Sequence, residues 1–188
     1  MNSRLVGNAM AAGWGLLFVF VLAIGLSPTA AFPQGAAAPS NAAPLSASSP
    51  SVQRGKEVFK SVAQCQFCHG WDGGGDSSEY GGNAPSLRAT QLDRDQIAET
   101  VKCGRSGAGM PYHDRNAYTA EDKCYGMTEA DLGTTNMPLK PIAFLAQRDI
   151  DAVADYVATV VKGEPPVPTH EECVVFFGSE THACDKYK

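Results

Sequence analysis

The clearest chemistry in this sequence is carried by a run of five residues, Cys65-Gln66-Phe67-Cys68-His69. Two cysteines separated by two residues, with a histidine directly after the second, match a pattern in which two thiols bond to the vinyl groups of a haem while the adjacent imidazole binds its iron. The alternative is a redox C-x-x-C pair or half of a zinc site, but no second C-x-x-C follows and no thioredoxin-like βαβ pattern surrounds the motif. The motif therefore predicts one covalent haem c on Cys65 and Cys68, with His69 as an axial ligand.

Three helices are predicted to position this motif. Apolar residues recur at helical spacing in residues 51–63 and 148–161, so each segment should form a helix with one buried face. Between these segments, Asp93 followed by Gln96 is typical of a helix start, and Gly104 is typical of the end of that helix. No strand pattern of comparable strength is present, which favours an all-α fold.

The N-terminal part of the chain differs in composition from this helical region. Residues 1–31 contain one basic residue, Arg4, no acid, and an apolar stretch from Trp14 to Leu26, which is the layout of a secretory signal peptide. Because about 20 apolar residues can cross a bilayer, an uncleaved anchor is the alternative. Residues 32–50 are almost all Ala, Pro, Ser, Gly and Asn and predict a flexible linker. We therefore expect export to the periplasm, with membrane attachment only if the first segment is retained.

Charge and loop composition exclude several classes of ligand. The formal net charge of −5 argues against nucleic acid or an anionic membrane as the main partner and suits docking on basic patches. Residues 70–90 are rich in glycine but lack the strand-to-helix context of a phosphate-binding loop, so nucleotide binding is not predicted. Asp72 and Asp76 are interpreted as solvated loop carboxylates rather than calcium ligands.

Four further residues match positions of a known family. Gly55 and Phe59 lie in the first predicted helix, Tyr156 lies in the last, and Pro85 follows the haem motif. With that motif, they make residues 51–162 resemble the class I c-type cytochromes, in which the first and last helices cross and a proline carbonyl accepts the N–H of the ligand histidine. Such a bond fixes the imidazole tautomer and makes the ring more basic toward iron. The resemblance implies a cytochrome c fold of three to five helices packed around one haem.

Two Met-Pro steps compete for the second axial position. A thioether favours ferrous haem and raises the reduction potential, so the resemblance implies a methionine ligand. Met110 follows the second predicted helix through the glycine-rich run 103–109, and we favour it because such a run lets the backbone approach the porphyrin edge closely. Met137 lies just before the last helix, where the family ligand also often lies, and is the alternative. His113 is a third candidate, whose imidazole would lower the potential.

Two segments exceed the family minimum, an insertion at residues 112–135 and a C-terminal extension at residues 164–188 beyond the domain at residues 51–163. In an oxidising compartment, local disulfides that pin each segment to the domain are the simplest pairing. A zinc site formed by the last two cysteines with His170 and His182 is the alternative. The predicted disulfides are Cys103 with Cys124, and Cys173 with Cys184.

The resemblance also implies a function. With both axial positions filled, the iron has no site for a substrate, so the protein should transfer electrons without being an enzyme. Its expected partners are a periplasmic dehydrogenase as donor and a respiratory complex or terminal oxidase as acceptor. One alternative is a fixed haem subunit of an oxidoreductase complex. Another is a haem enzyme or gas sensor, which would need an open sixth position.

Overall fold

The computed structural model describes residues 45–75 and 82–188, and within these ranges it contains helices and two isolated bridges but no strand. The α-helices are α1 (Pro50–Glu57), α2 (Gln66–His69), α3 (Arg94–Cys103), α4 (Glu129–Leu132), α5 (Gln147–Tyr156) and α6 (His170–Phe177). Two π-helical turns continue α1 and α5, at Val58–Val62 and Val157–Val161, and a 3₁₀ helix follows α6 at His182–Tyr187. The all-α prediction is confirmed.

The predicted signal peptide or anchor and residues 32–44 of the predicted linker lie outside the described residues. Within residues 45–75 and 82–188, no helix combines the length and the apolar character needed to cross a membrane.

The first helix starts where its sequence favours a start. The hydroxyl of Ser49 accepts the backbone N–H of Val52 at 3.3 Å, and Pro50 occupies the first helical position, where its missing N–H costs nothing. Val58 and Phe59 in the following π-helical turn are fully buried. Together, α1 and this turn span the helix that the apolar spacing predicts at residues 51–63.

The first and last helices of the predicted fold cross at very close range. A side chain on Gly55 would place its Cβ 1.9 Å from the carbonyl oxygen of Ala152 and 2.7 Å from the Cβ of Tyr156. Only glycine therefore permits this approach of α1 to α5. Next to the crossing, the rings of Phe59 and Tyr156 pack with their centroids 5.6 Å apart.

The middle helix, α3, has the start and the end that its sequence predicts. The Asp93 carboxylate accepts the Gln96 N–H at 2.8 Å, and the Gln96 side-chain oxygen accepts the Asp93 N–H at 2.9 Å. Gly104 ends the helix with a φ of 64°. Ile97 and Val101 point into the protein and are buried, so α3 packs its apolar face against α5.

Two arginines fix the three helices to one another. Arg54 of α1 binds Asp149 of α5 through two bonds of 2.9 and 3.1 Å. Arg94 of α3 binds Asp155 at 2.8 Å and Asp151 at 3.1 Å, both on α5. The guanidinium of Arg54 holds the pKa of the Asp149 carboxyl below its usual range.

The C-terminal extension packs into the same core, and sequence periodicity did not predict its helix α6. Trp71, which follows the haem motif, is buried against three rings of the extension at centroid distances of 5.6 to 5.8 Å. These rings belong to Phe176, Phe177 and Tyr187. We call this core the main core; its buried members include Val52, Phe59, Trp71, Ile97, Val101, Ile150, Val153 and Phe176.

The loop carboxylate Asp72 departs from its predicted role. It is buried rather than solvated, and one of its oxygens accepts the Gly74 N–H at 3.0 Å. Its backbone carbonyl accepts a bond of 2.9 Å from Arg88, whose guanidinium also pairs with Glu172 of α6 at 2.7 Å. The extension thus encloses this loop and removes Asp72 from water. Asp76 lies outside the described residues.

The insertion forms a second, smaller core of its own. Thr128 caps α4 by accepting the Asp131 N–H, and the Asp131 carboxylate accepts the Thr128 N–H at 2.8 Å. We call this core the insertion cluster; its members are Cys103, Tyr112, Ala117, Tyr118 and Cys124, with Leu132, Met137 and Phe144 packed against them.

Candidate haem site

The C-x-x-C-H motif folds into a single helical turn. Cys65 is the residue before α2, and its carbonyl accepts the His69 N–H at 2.9 Å. Residues three and four apart on a helix share a face, so Cys65, Cys68 and His69 lie on one side of this turn. The turn therefore presents two thiols and one imidazole in the same direction.

The imidazole of His69 is oriented by a backbone carbonyl. Its Nδ1 lies 3.3 Å from the carbonyl oxygen of Pro85. With Nδ1–H donating to this oxygen, Nε2 keeps its lone pair for a metal. The loop reaches Pro85 because Gly75 has no side chain, since a Cβ there would lie 2.2 Å from the Ala84 carbonyl oxygen.

Electrostatics favour the neutral, metal-binding form of this imidazole. Burial lowers the pKa of His69, and the nearby charge of Arg105 lowers it further, against the opposing effect of the bond to Pro85. Arg105 is exposed, and no carboxylate pairs with its guanidinium among the residues that the structure describes. Sequence reasoning did not select Arg105, although it lies in the glycine-rich run before Met110.

Four of the six cysteines form the two predicted disulfides. Cys103 is bonded to Cys124 with a Cα–Cα distance of 5.5 Å, and Cys173 is bonded to Cys184 with a distance of 5.6 Å. Both predicted disulfides are therefore present in the structure. The zinc alternative loses its two thiolates, and no cluster of potential metal ligands occurs elsewhere in residues 45–75 and 82–188.

The two cysteines left unpaired are those of the haem motif. Burial raises the pKa of the Cys65 thiol to about 12. A dithiol redox site needs a lowered thiol pKa, so this environment disfavours the redox C-x-x-C alternative. Two free thiols and an imidazole with an available Nε2, all on one helical face, are a donor set that fits haem c.

Met110 lies at the end of a tight hairpin. The Arg105 N–H donates to the Met110 carbonyl at 3.1 Å, and the Ala108 N–H donates to the Arg105 carbonyl at 3.3 Å. Gly107 and Gly109 adopt φ values of 71° and 74°, which the turn requires. Met110 is partly buried and packs against the main core, as does Cys65 of the haem motif. The favoured ligand thus contacts the core that carries the haem motif.

The two competing candidates have different surroundings. Met137 packs against the insertion cluster rather than the main core. His113 is buried, with its Nδ1 3.2 Å from the Ala143 carbonyl oxygen, and its own carbonyl accepts the Leu145 N–H at 2.8 Å. Burial lowers the pKa of His113. A backbone carbonyl holds Nδ1 of His113 as another holds Nδ1 of His69, so Nε2 of His113 is equally available. The choice among Met110, Met137 and His113 stays a prediction.

Comparison with known families supports the reading of the fold and the motif. Residues 50–128 match the family model described as cytochrome c oxidase, cbb3-type, subunit III. The match spans less than half of the chain, runs from the start of α1 into the insertion, and includes Met110 but not Met137. Searches of curated proteins and of solved structures gave no match.

The helical fold, the motif and this match together support a class I c-type cytochrome domain, with the match at residues 50–128. Such a domain implies haem c binding and haem-based electron transfer.

Proposed function

We propose that this cytochrome is an exported electron-transfer protein with a single haem, bonded to Cys65 and Cys68 and ligated by His69 and Met110. The observation that carries the proposal is the shared face of the C-x-x-C-H turn, with His69 Nδ1 directed at the Pro85 carbonyl at 3.3 Å. This contact leaves Nε2 available on the same side as both unpaired thiols.

The role of the protein in this function is to hold a redox centre and to exclude substrate from it. The bound haem supplies a one-electron Fe(III)/Fe(II) couple. The Pro85 carbonyl keeps the imidazole in one tautomer and makes it a better donor. The Met110 thioether, as a soft ligand, favours the reduced state. If His69 and Met110 both bind the iron, no coordination position would remain for a substrate, and the protein would carry electrons without catalysis at iron.

Export and partners form a further part of the proposal. The signal-like segment at residues 1–31 supports a periplasmic location. The net charge of −5 supports docking on a partner with a basic patch. A periplasmic dehydrogenase would donate electrons, and a respiratory complex or terminal oxidase would accept them.

A second candidate is a haem subunit fixed in a terminal oxidase complex. The family description at residues 50–128, which refers to an oxidase subunit, favours it. The two candidates differ in stoichiometry. A fixed subunit co-purifies with an oxidase in equal amounts under mild detergent extraction, whereas a shuttle is recovered alone in the periplasmic fraction.

Covalent haem attachment is the first test. The wild-type chain should retain haem on a denaturing gel stained for peroxidase activity, and replacement of Cys65 and Cys68 with Ala should abolish this band. A matched control replaces Cys173 and Cys184 with Ala, which removes the same number of sulfur atoms outside the motif and should leave the stain. Haem retained without the motif cysteines, or no haem in the wild type, would overturn the proposal.

A further inference from the structure

We propose that the insertion is a clamp for the Met110 hairpin, with Tyr118 and Tyr125 as its positioning residues. The proposal rests on the assignment of Met110 as the axial ligand and explains how that ligand is kept on the iron. It gives residues 112–135 a role within the electron-transfer site.

Two tyrosine hydroxyls bind the backbone directly before the hairpin. The Tyr118 hydroxyl donates to the Cys103 carbonyl at 2.9 Å, and the Tyr125 hydroxyl donates to the Gly104 carbonyl at 3.0 Å. These carbonyls belong to the last residue of α3 and to its cap, so α3 itself does not satisfy them. The next residue along the chain is Arg105, which starts the hairpin.

A covalent bond joins the same two segments. The disulfide links Cys103 to Cys124, and Tyr125 follows Cys124 directly. Cys103 therefore holds the insertion through its sulfur and through its carbonyl, and Gly104 holds it through a second carbonyl. One disulfide and two hydrogen bonds therefore join the insertion to Cys103 and Gly104, the two residues directly before the hairpin.

Both tyrosines adopt a backbone conformation that non-glycine residues rarely take. The φ of Tyr118 is 67° and that of Tyr125 is 53°. Such conformations persist where the surroundings impose them, and they cluster where a side chain must be placed accurately. Here, the left-handed turn brings each hydroxyl to its carbonyl.

The clamp also contacts the segment that follows the hairpin. The ring of Tyr118 packs edge-on against Tyr112 with the centroids 6.2 Å apart, and the Tyr112 N–H donates to the Leu139 carbonyl at 3.2 Å. A Cβ on Gly104 would lie 2.6 Å from the carbonyl carbon of Pro111, so the two arms of the hairpin touch at its base. Tyr118 thus contacts the chain before and after Met110.

The consequence concerns the stability of the iron–sulfur bond. Release of a loop-borne ligand requires the loop to open locally, and the free energy of that opening depends on the contacts at its base. Fixing these contacts in advance lowers the cost of binding the ligand. With haem bound, the insertion would therefore hold the Met110 thioether in place and keep external ligands away from the iron.

The test replaces Tyr118 and Tyr125 with Phe, singly and together, in the full-length haem protein. Each change removes one hydroxyl and keeps the ring. The affinity of the reduced protein for carbon monoxide, which must displace the axial ligand, should rise about fivefold for each lost hydrogen bond. Tyr187→Phe, a matched change in the extension, should leave the affinity unchanged.

The readouts separate this inference from the proposed function. If the Phe variants bind carbon monoxide like the wild type, while Met110→Ala loses its near-infrared sulfur-to-iron band, the clamp is wrong and the ligand assignment stands. If Met110→Ala retains the band, Met110 is not the ligand, and the clamp proposal, which depends on that assignment, is wrong as well. A clamp is supported only if affinity rises in the Phe variants while the urea midpoint of helix unfolding stays close to that of Tyr187→Phe.

Discussion

The insertion and the C-terminal extension are each closed by one disulfide, yet they are built into different parts of the protein. All four of these cysteines are buried, and each residue is at most 1% exposed. The extension places Phe176 and its neighbours against Trp71 in the main core. The insertion instead forms its own cluster beside the Met110 hairpin. In our proposal, one disulfide thus supports global packing, whereas the other supports the position of Met110.

Because of this difference, we expect substitutions in the two regions to affect different properties: global folding stability in one, and ligand binding at the iron in the other. Apolar area removed from water dominates folding free energy, so damage to the extension should lower global stability. Hydrogen bonds and a disulfide at the base of a loop mainly set how readily that loop opens. Substitutions that disrupt the insertion should therefore change ligand binding at the iron more than global stability.

The largest expected effect is a loss of global stability on truncating Trp71. Trp71→Ala removes a ring that contacts three aromatic residues of the extension and should cost about 3–5 kcal/mol of unfolding free energy. Urea unfolding followed by circular dichroism measures it. Val175→Ala, on the exposed side of α6, is the control and should cost less than about 0.5 kcal/mol. A cost for Trp71→Ala that matches this control would show that the extension is not part of the core.

Removing each disulfide tests the comparison directly. Replacing Cys173 and Cys184 with Ala should cost about 2–4 kcal/mol and leave carbon monoxide binding unchanged. Replacing Cys103 and Cys124 with Ala should lower stability by a similar amount and also raise carbon monoxide affinity. Equal carbon monoxide affinities in the two double variants would show that the insertion disulfide has no special effect on ligand binding at the iron.

Acid should loosen the two regions in a fixed order. Burial lowers the pKa of His113, so its stabilising contribution is present above the unfolded value of about 6.5 and is lost as pH falls below it. The bond to Arg54 lowers the pKa of Asp149 in the main core, so that contribution is lost only as pH falls below about 3.8.

Amide hydrogen exchange during a pH titration measures this order. Amides of the insertion should begin to lose protection as pH falls below about 6.5, before those of α1 and α5. His113→Gln should remove this first phase, and Asp149→Asn should leave it in place. Simultaneous loss of protection in both regions would contradict the assigned causes.

The smallest expected effect is electrostatic. Arg105→Gln removes a positive charge near His69, which should favour Fe(III) and lower the reduction potential by an amount equivalent to about 0.2–1 kcal/mol, because the side chain is exposed. Redox titration measures the shift. Lys188→Gln removes the same charge from the extension and should not change the potential. A potential that responds equally to both changes would place Arg105 too far from the iron to matter.

The sequence predicts the elements that follow local rules. The helix at α3 is predictable because Asp93 and Gln96 cap each other and Gly104 ends it. Both disulfides are predictable because their partners are close along the chain. The orientation of His69 by Pro85 follows from the family resemblance, and the structure places the two groups in contact.

The remaining features depend on tertiary context. Helix α6 escapes prediction because apolar residues such as Val174 and Phe177 extend beyond one face and contact the core from several sides. The burial of Asp72 depends on Arg88 and Glu172, which are distant in sequence. The bonds of Tyr118 and Tyr125 depend on left-handed backbone conformations. Tyrosine rarely adopts such conformations, so the sequence does not predict them there.

The most direct test of the account compares Met110→Ala with Met137→Ala. The near-infrared band of the oxidised protein reports a sulfur ligand on iron. Met110→Ala should abolish it, lower the reduction potential and open the reduced iron to carbon monoxide, whereas Met137→Ala should leave all three close to wild type. The reverse pattern would make Met137 the ligand and the insertion part of the haem-covering loop, and it would contradict the account.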